Sequence, residues 1–318
     1  MTTRTSPGDP LGSVAVIANG RAGSTTPELG AAIAALCTEH DVRSEVFWTE
    51  HRGHATEIAT AIAQRGASPE SVDAIVAVGG DGTLREVAAG LLSAGCHAPA
   101  LVVLPGGTGN SNYRSLWDDL PWQEALAAAI SGAGSEHRLL DLARIDERLV
   151  LLGASTGVFA EATAVALSLP VAGRARYQQA IDTVLATHRP YPGRVTVDGA
   201  VLYEGPTNLV NVGGGRHRAG VFNMLPRSLR DDGLLDVCVL GTELDPAQAL
   251  TLARNGEHLG QPGVAYGTGR SILVERTDGR PLPFEHDGEV AADPRESFTV
   301  EILPRALPVI SSSKRTGG

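Results

Sequence analysis

The chain predicts an α/β protein in two parts: an N-terminal Rossmann-like parallel-sheet domain with helices, then a C-terminal domain that is largely antiparallel β. Three observations carry this. Strand-type and helix-type segments alternate over roughly the first 145 residues. Two of the strand-type runs end in glycine clusters that open into helix-type segments. Beyond about residue 138 the alternation gives way to short β runs separated by turn residues.

Taken in order, residues 14–18 form a continuous apolar run and read as a buried strand, and 27–39 read as a helix with Leu29, Ile33 and Leu36. Residues 44–49 are a second strand, and 54–65 a helix with Ile58, Ala59 and Ile62 on one face. Residues 74–78 and 100–104 are the glycine-tipped strands, leading into helix-type segments 84–92 and 111–116, and a further helix lies near 122–130. Such alternation implies parallel strands joined by right-handed crossovers. The β runs of the second half are 137–144, 149–153, 193–197, 208–212, 234–240 and 271–275, interrupted by helices near 174–188 and 245–259. Tyr177, Ile181, Val184 and Leu185 in the first of these helices read as a core stripe. A last strand, 297–303, can return to either half.

The glycine clusters are Val78-Gly79-Gly80-Asp81-Gly82-Thr83 and Pro105-Gly106-Gly107-Thr108-Gly109-Asn110. Missing Cβ atoms let backbone N–H groups approach an anion, and a helix N-terminus adds partial positive charge. One such turn can serve packing alone. Two, each with Gly-Gly, a threonine and an Asp or Asn, point to a bound polyphosphate and hence a nucleotide. In sheets of this kind ligands bind beyond the carboxyl ends of the strands, where both clusters lie.

The 318 residues allow a sizeable core, and a net charge of −10 argues against a nucleic-acid binder, which needs a basic face. Cys37, Cys96 and Cys238 are widely spaced and read as buried small hydrophobes, neither a zinc set nor a disulfide framework. The polar first residues and the lack of a membrane-length apolar run predict a soluble cytoplasmic protein with at most peripheral membrane contact. Lys314, in a Ser/Lys/Arg/Gly tail, is the only lysine. A Walker-type P-loop, a protein-kinase strand lysine and Schiff-base chemistry are therefore excluded. Phosphates must be held by backbone amides, hydroxyls, arginine or metal.

Together the motifs resemble the diacylglycerol kinase and sphingosine kinase catalytic family, within the superfamily that includes NAD kinases. The resemblance runs from Val14 to Leu303. It rests on Asn19-Gly20-Arg21-Ala22-Gly23, Thr49 with Gly53-His54-Ala55, Gly79 to Thr83 with Glu86-Val87, and Pro105 to Asn110. In the second half it rests on Asn211-Val212-Gly213-Gly214-Gly215, Pro226, Asp231 to Asp236, and Asp287-Gly288-Glu289. It implies a nucleotide-binding domain over 13–145, with 298–310 able to return to it. It also implies a β-sandwich-type substrate domain over 146–297, with the active site in the cleft between the two. Residues 1–12 and 311–318 are expected to be disordered tails. The implied activity is transfer of the γ-phosphate of ATP, with Mg²⁺, to an alcohol.

In that reading Asn19, Arg21, Thr49, Gly79, Gly80, Gly82, Thr83, Glu86, Gly107, Thr108 and Asn110 bind the nucleotide. Asp81 holds Mg²⁺ or orients the acceptor, Asp287 is the general base, and Glu289 a metal or nucleotide partner. Asp232 with the carbonyls of Leu229 and Leu234 forms a structural Mg²⁺ site. Each acid also has a plainer reading as a turn former: Asp81 and Asp287 both precede glycine, as Asp198 does elsewhere. The sequence departs from the family at Gly20, where proline is common, at Ser111, where Asp is common, and in lacking lysines in the cleft. The favoured acceptor is a diacylglycerol- or sphingoid-like lipid. The alternatives are a soluble hydroxylated metabolite, NAD, or no transfer at all in a nucleotide-binding regulator, and the protein is free to be a homodimer. His51 and His54 have no third ligand in sequence, so zinc is not expected. Arg216-His217-Arg218 reads either as a solvated loop or as an anion clamp.

Overall fold

The computed structural model describes residues 8–66, 68, 70–93, 98–107, 109–118, 120–170, 174–219 and 221–313. The chain divides into two compact units, residues 1–140 with 305–318, and residues 141–304. Cys96, Thr108 and Lys314 lie outside the described residues.

The first unit runs β1 (Ser13–Ala18), α1 (Pro27–Glu39), β2 (Arg43–Trp48), α2 (His54–Ala63), β3 (Ala74–Gly79), α3 (Asp81–Leu92), β4 (Ala100–Pro105), α4 (Ser111–Trp117) and α5 (Trp122–Ser131), and β5 (Ser135–Ile145) crosses the division. The strands pair in parallel in the order β2-β1-β3-β4, with Val46, Val16, Val76 and Val102 level across the sheet. β1, β3 and β4 are buried almost end to end, as strands covered on both faces must be, and this is why they read as unbroken apolar runs. Thr26 caps α1 by accepting from Leu29 N at 3.3 Å, with Pro27 in the first turn. α3 begins at Asp81, earlier than the apolar periodicity from Leu84 suggests, so the Asp-Gly-Thr of the first glycine cluster is a helix N-terminus.

The second unit continues through β6 (Arg148–Val150), β7 (Ala154–Thr156), α6 (Val158–Ser168), α7 (Arg174–Leu185), β8 (Tyr191–Val197), β9 (Ala200–Thr207), β10 (Leu209–Gly213), β11 (His217–Arg218), β12 (Phe222–Asn223), β13 (Leu235–Leu240), α8 (Pro246–Ala253), β14 (Val264–Gly269), β15 (Ser271–Arg276), β16 (Phe284–His286), β17 (Glu289–Val290) and β18 (Ser297–Ser312). One antiparallel sheet joins the first part of β18 to β15, β8 and β9. The other has the order β14-β13-β10-β7-β16-β17 and is also antiparallel. Tyr191, Val195, Ile272, Val274, Phe298 and Val300 of the first pack against Val210, Val212, Val237, Val239 and Phe284 of the second, which makes this a β-sandwich. On the second sheet's other face, Leu209, Cys238 and Leu240 join residues of α6, α7 and α8 in a separate core.

β18 extends well beyond the strand expected over 297–303: from Arg305 it belongs to the first unit, where Val309 lies level with Leu101 of β4 in a parallel pair. Helix α6 was not legible at all. Val158, Phe159, Ala160, Ala162, Thr163 and Ala166 are buried, so little contrast between faces remains to betray a helical period. In α7, Ile181 and Val184 are buried in the core, with Tyr177 and Leu185 packed partly against it. No helix among the described residues is long and apolar enough to cross a membrane.

The closest helix pairing in the first unit rests on a glycine. A Cβ on Gly90 of α3 would stand 2.7 Å from both the Ala59 Cβ and the Thr56 carbonyl oxygen of α2. Gly90→Ala should therefore destabilise by about 1–3 kcal/mol through overpacking, opposite in sign to the gain of up to about 1 kcal/mol that the exchange gives in an open helix. All three tryptophans, Trp48, Trp117 and Trp122, lie in this unit, so their fluorescence in a urea titration reads the effect locally.

Candidate active site

In the first unit, β3 and β4 deliver their glycine clusters side by side. Gly106 N donates to Gly79 O at 3.0 Å, and a Cβ on Gly106 would come within 2.8 Å of Gly79 N. A Cβ on Gly107 would strike Gly80 Cα. These glycines let two turns touch backbone to backbone, a requirement that exists without any ligand. Gly82 differs: nothing lies within 4 Å of where its Cβ would be, so its backbone is open to an incoming group. No side chain caps α3 at its N-cap, Gly80, so the first N–H groups of that helix are open to an anion.

Asp81 joins the two turns. Its Oδ2 accepts from Ser111 N at 3.2 Å, and its Oδ1 accepts from Asn112 N at 3.1 Å and Asn112 Nδ2 at 3.0 Å. It thereby caps α4, whose own N-cap, Asn110, sits at φ 51° with its side chain turned back on Gly107. Asn112 was not anticipated as part of this site. Its only sequence signal is a polar residue at the start of a short helix, yet it is buried.

The other expected nucleotide contacts divide by what they touch. Asn19 Nδ2 donates to Thr83 Oγ1 at 2.9 Å, and Asn19 Oδ1 accepts from Arg21 N, which leaves the Arg21 side chain exposed at the end of β1. Thr49 follows β2 and is half-buried. Glu86 has structural work: its carboxylate accepts from Gly53 N at 3.0 Å and Ala55 N at 3.3 Å and so caps α2, whose N-cap glycine has no side chain for the task. Thr25, also not anticipated, is buried beside Gly106 with no partner for its hydroxyl among the described residues.

The structure brings Glu57 to His51 and His54, a third ligand type that sequence inspection had not found. The two imidazoles are stacked at 4.6 Å with planes 10° apart, and His54 Nδ1 accepts from Glu50 N. In this stacked arrangement the two rings do not point their lone pairs at one common position.

In the second unit, Asp287 and Gly288 form the two-residue turn between β16 and β17, with φ 49° and 82°, the type I′ pattern for which Asp-Gly is suited. The Asp287 carboxylate is an anchor as well. Oδ1 accepts from Leu152 N at 2.8 Å and Gly153 N at 3.3 Å, and Oδ2 from Leu151 N at 2.9 Å. A carboxylate offers about four lone-pair positions, so one on Oδ2 remains. Glu289 is half-buried at the start of β17. Beside this turn, α7 and the β11–β12 segment border an open, mainly apolar cavity of about 190 Å³ lined by Ala175, Tyr177, Gln178, Ile181, Ala219, Val221 and Phe222. The Tyr177 hydroxyl is 3.6 Å from where a Gly288 Cβ would be.

The acidic turn at 231–233 gathers a third carboxylate that was not anticipated, Asp141, which is buried and accepts from Gly233 N at 2.6 Å. Asp232 accepts from Leu234 N at 3.0 Å, and partial burial, reinforced by Asp141 and Asp231, holds its carboxyl above the usual range. Like charges gathered in this way suit a divalent cation. Leu229 is exposed and Leu234 half-buried on either side of the turn. The arginine cluster does not form a surface clamp: Arg216 Nε donates to Ser228 O at 3.0 Å, and Arg218 is buried.

Paired glycine turns at the ends of parallel strands suit a polyphosphate, and the family matched by this chain is one of phosphotransferases with an alcohol acceptor. Residues 13–145 match the diacylglycerol kinase catalytic domain and residues 153–311 the YegS C-terminal NAD kinase β-sandwich-like domain, and the chain belongs to this family. It is 30% identical over 298 residues to the "Probable lipid kinase YegS-like" of Klebsiella pneumoniae, covering 92% of this chain and 93% of that protein. It is 28% identical to the "Probable lipid kinase YegS" of Escherichia fergusonii, covering 86% and 87%. Among solved structures, a diacylglycerol kinase from Bacillus anthracis has the same fold at TM-score 0.69 and 22% identity, covering 95% of this chain and 98% of that one. An NAD kinase from Archaeoglobus fulgidus in complex with ATP gives TM-score 0.50 and 14% identity, with 95% of each chain covered.

If Asp81 served a ligand alone, its loss would leave the free protein's stability unchanged. Asp81→Ala is instead expected to lower stability by about 1–3 kcal/mol, because the N–H groups of Ser111 and Asn112 lose their acceptor. Tryptophan-monitored urea unfolding without nucleotide measures it.

Proposed function

We propose that this protein transfers the γ-phosphate of ATP to the hydroxyl of a lipid alcohol of the diacylglycerol or sphingoid type. The observation that carries the reading is the pair of abutting glycine turns with the uncapped N-terminus of α3 and the open backbone at Gly82. Backbone N–H groups there suit the phosphates, Thr83 orients them, Asn110 holds the second turn in shape through Gly107, and Arg21 is an exposed charge at the first loop. The names borne by the curated relatives and the apolar lining of the α7 cavity support a lipid acceptor.

Asp287 is the proton acceptor in this reading. Three N–H bonds fix the carboxylate, and the remaining lone pair on Oδ2 is free to take the acceptor hydroxyl's proton late in a loose transition state. Asp81 has the same pattern, with one position left on Oδ2 for Mg²⁺ or the acceptor. Mg²⁺, when bound, neutralises charge on the transferring phosphate. A second, structural Mg²⁺ is assigned to Asp232 with the carbonyls of Leu229 and Leu234.

The test is transfer from γ-labelled ATP to sphingosine and to diacylglycerol in mixed micelles, with NAD and a soluble-metabolite extract in parallel. Label in lipid is expected, and label only in a water-soluble product would replace the acceptor class. Asp287→Asn should lower kcat at least about 100-fold while ATP still raises the melting temperature. Unchanged turnover would remove Asp287 from the mechanism. Mg²⁺ without nucleotide should raise the melting temperature of the parent protein and not that of Asp232→Asn.

A further inference from the structure

A buried polar row lies under the Asp287-Gly288 turn, and the phosphate-transfer reading makes no use of it. β16, β7 and β10 are neighbours, and their register sets Glu285 opposite Ser155 and Ser155 opposite Asn211. The next position in the row is Cys238 of β13, part of the helix-covered core, while the alternating residues Ala154, Val210, Val212 and Phe284 belong to the sandwich interior. The three polar side chains therefore share the face covered by α6, α7 and α8. Arg218 of β11 closes the set. Its Nε donates to Asn211 Oδ1 at 2.7 Å, and its Nη2 donates to Ser155 Oγ at 3.3 Å and to Glu285 Oε1 at 3.2 Å. The other Glu285 oxygen, Oε2, accepts from Gly288 N at 2.9 Å.

The Glu285 and Arg218 side chains are only 6% and 7% exposed. An ion pair this deep is a poor source of stability, since a well-packed apolar pair would serve the fold as well or better. It holds one thing in place that an apolar pair could not: the backbone N–H of Gly288, in a turn whose flanking residues, His286 and Glu289, are the ones paired in the hairpin. The chain supplies its own control. The Asp198-Gly199 turn between β8 and β9 has the same positive φ values, 48° and 85°, and its aspartate likewise anchors neighbouring N–H groups, those of Arg270 and Ser271. There the position equivalent to Glu285 is Thr196, which has no carboxylate to offer.

We propose that Glu285, held by Arg218, is a positioning residue that fixes the Asp287-Gly288 turn from beneath and so sets the orientation of Asp287 Oδ2. The inference rests on the reading of Asp287 as proton acceptor. The Asp287 end of the turn is tied through its carboxylate to the N–H groups of residues 151–153 and through Asp287 N to Gly153 O at 3.1 Å, and Glu285 ties the Gly288 end to the sheet below. Loss of the Glu285 bond therefore frees the Gly288 end to shift about the anchored Asp287 end. A displacement of about 1 Å at a reacting group is worth about 100-fold in rate.

The experiment compares Glu285→Gln, Asp287→Asn and the double variant Arg218→Met/Glu285→Leu, using ATP with sphingosine or diacylglycerol in mixed micelles. Glutamine must set an NH₂ donor against either Gly288 N–H or Arg218, so Glu285→Gln should lower kcat at least about tenfold with KM for ATP unchanged. The double variant should keep its fold and lose about 100-fold in kcat. A purely structural role predicts the opposite, with kcat recovering once the fold is intact, and that result overturns the proposal. Asp287→Asn separates the two levels. If it is inactive while Glu285→Gln turns over normally, the positioning role falls and the base survives. If Asp287→Asn itself is fully active, the base reading falls and takes the proposal with it. Should the variants not fold, amide exchange in the parent protein decides: the Gly288 N–H, in a solvent-exposed residue, must exchange slowly, and exchange at the open-coil rate refutes its bond to Glu285.

Discussion

The carboxylate of Asp81 stands between the N-terminal ends of two helices, on the first residue of α3 and bonded to the first N–H groups of α4. Two helix N-termini brought together place partial positive charges side by side, and an ionised group between them offsets that repulsion. Beneath it, the contact between Gly79 and Gly106 closes the turns backbone to backbone. The geometry we propose for phosphate binding in the first unit depends on this closure, because it aims the uncapped end of α3 and leaves Gly82 open. Gly106 and Gly107 are thus needed first for the turns to meet, since a Cβ on either would strike Gly79 or Gly80, and the shape proposed for a ligand is there without one.

The same device recurs across the molecule. Asp73 accepts from Gly12 N and Ser13 N, Glu86 from Gly53 N and Ala55 N, Asp141 from Gly233 N, Asp198 from Arg270 N and Ser271 N, and Asp287 from three successive N–H groups. In a chain whose only lysine is Lys314, carboxylates are fastened to backbone amides, which cannot move as a flexible ammonium does. Each such bond is charge-assisted and locates a loop, so the acidic balance of the sequence is in part a set of loop anchors. The two acids read as chemically active, Asp81 and Asp287, are built on this plan, each held by three N–H donors with a lone pair left on Oδ2. Rigid anchoring and chemistry are compatible here because a carboxylate has more acceptor positions than the anchoring uses.

Much of the fold was legible. The apolar runs at β1, β3 and β4 and the glycine clusters that end them were plain, because buried parallel strands and tight strand-to-helix turns leave local signatures. Resemblance to a family with an ordered set of motifs carried the architecture further than any single motif does. Helix α6 escaped because burial on most sides erases periodicity, the short strands β7, β11, β12, β16 and β17 because two or three residues hold no pattern, and the longer β9 and β14 because, largely half-buried or exposed, they show no apolar run or clean alternation. The residue types at the candidate site were legible too, but not their partners. Glu86, expected at the nucleotide, caps a helix, which its sequence position gave no hint of; Arg218 looked like a surface cation and lies buried against Glu285; Asp141, Asn112 and Thr25 gave no sign at all.

By itself the sequence determined the class of fold, the absence of lysine chemistry, and the spacing of the acids and glycines, because these follow from local periodicity and composition. What each acid does was decided only by the tertiary structure. Asp81 and Ser111, Asp287 and Leu151, and Glu285 and Arg218 are far apart along the chain, and whether a carboxylate meets an amide, an arginine or open solvent depends on which strands become neighbours and in what register. A side chain's chemistry is local, but its free lone pairs are what remains after the fold has used the rest.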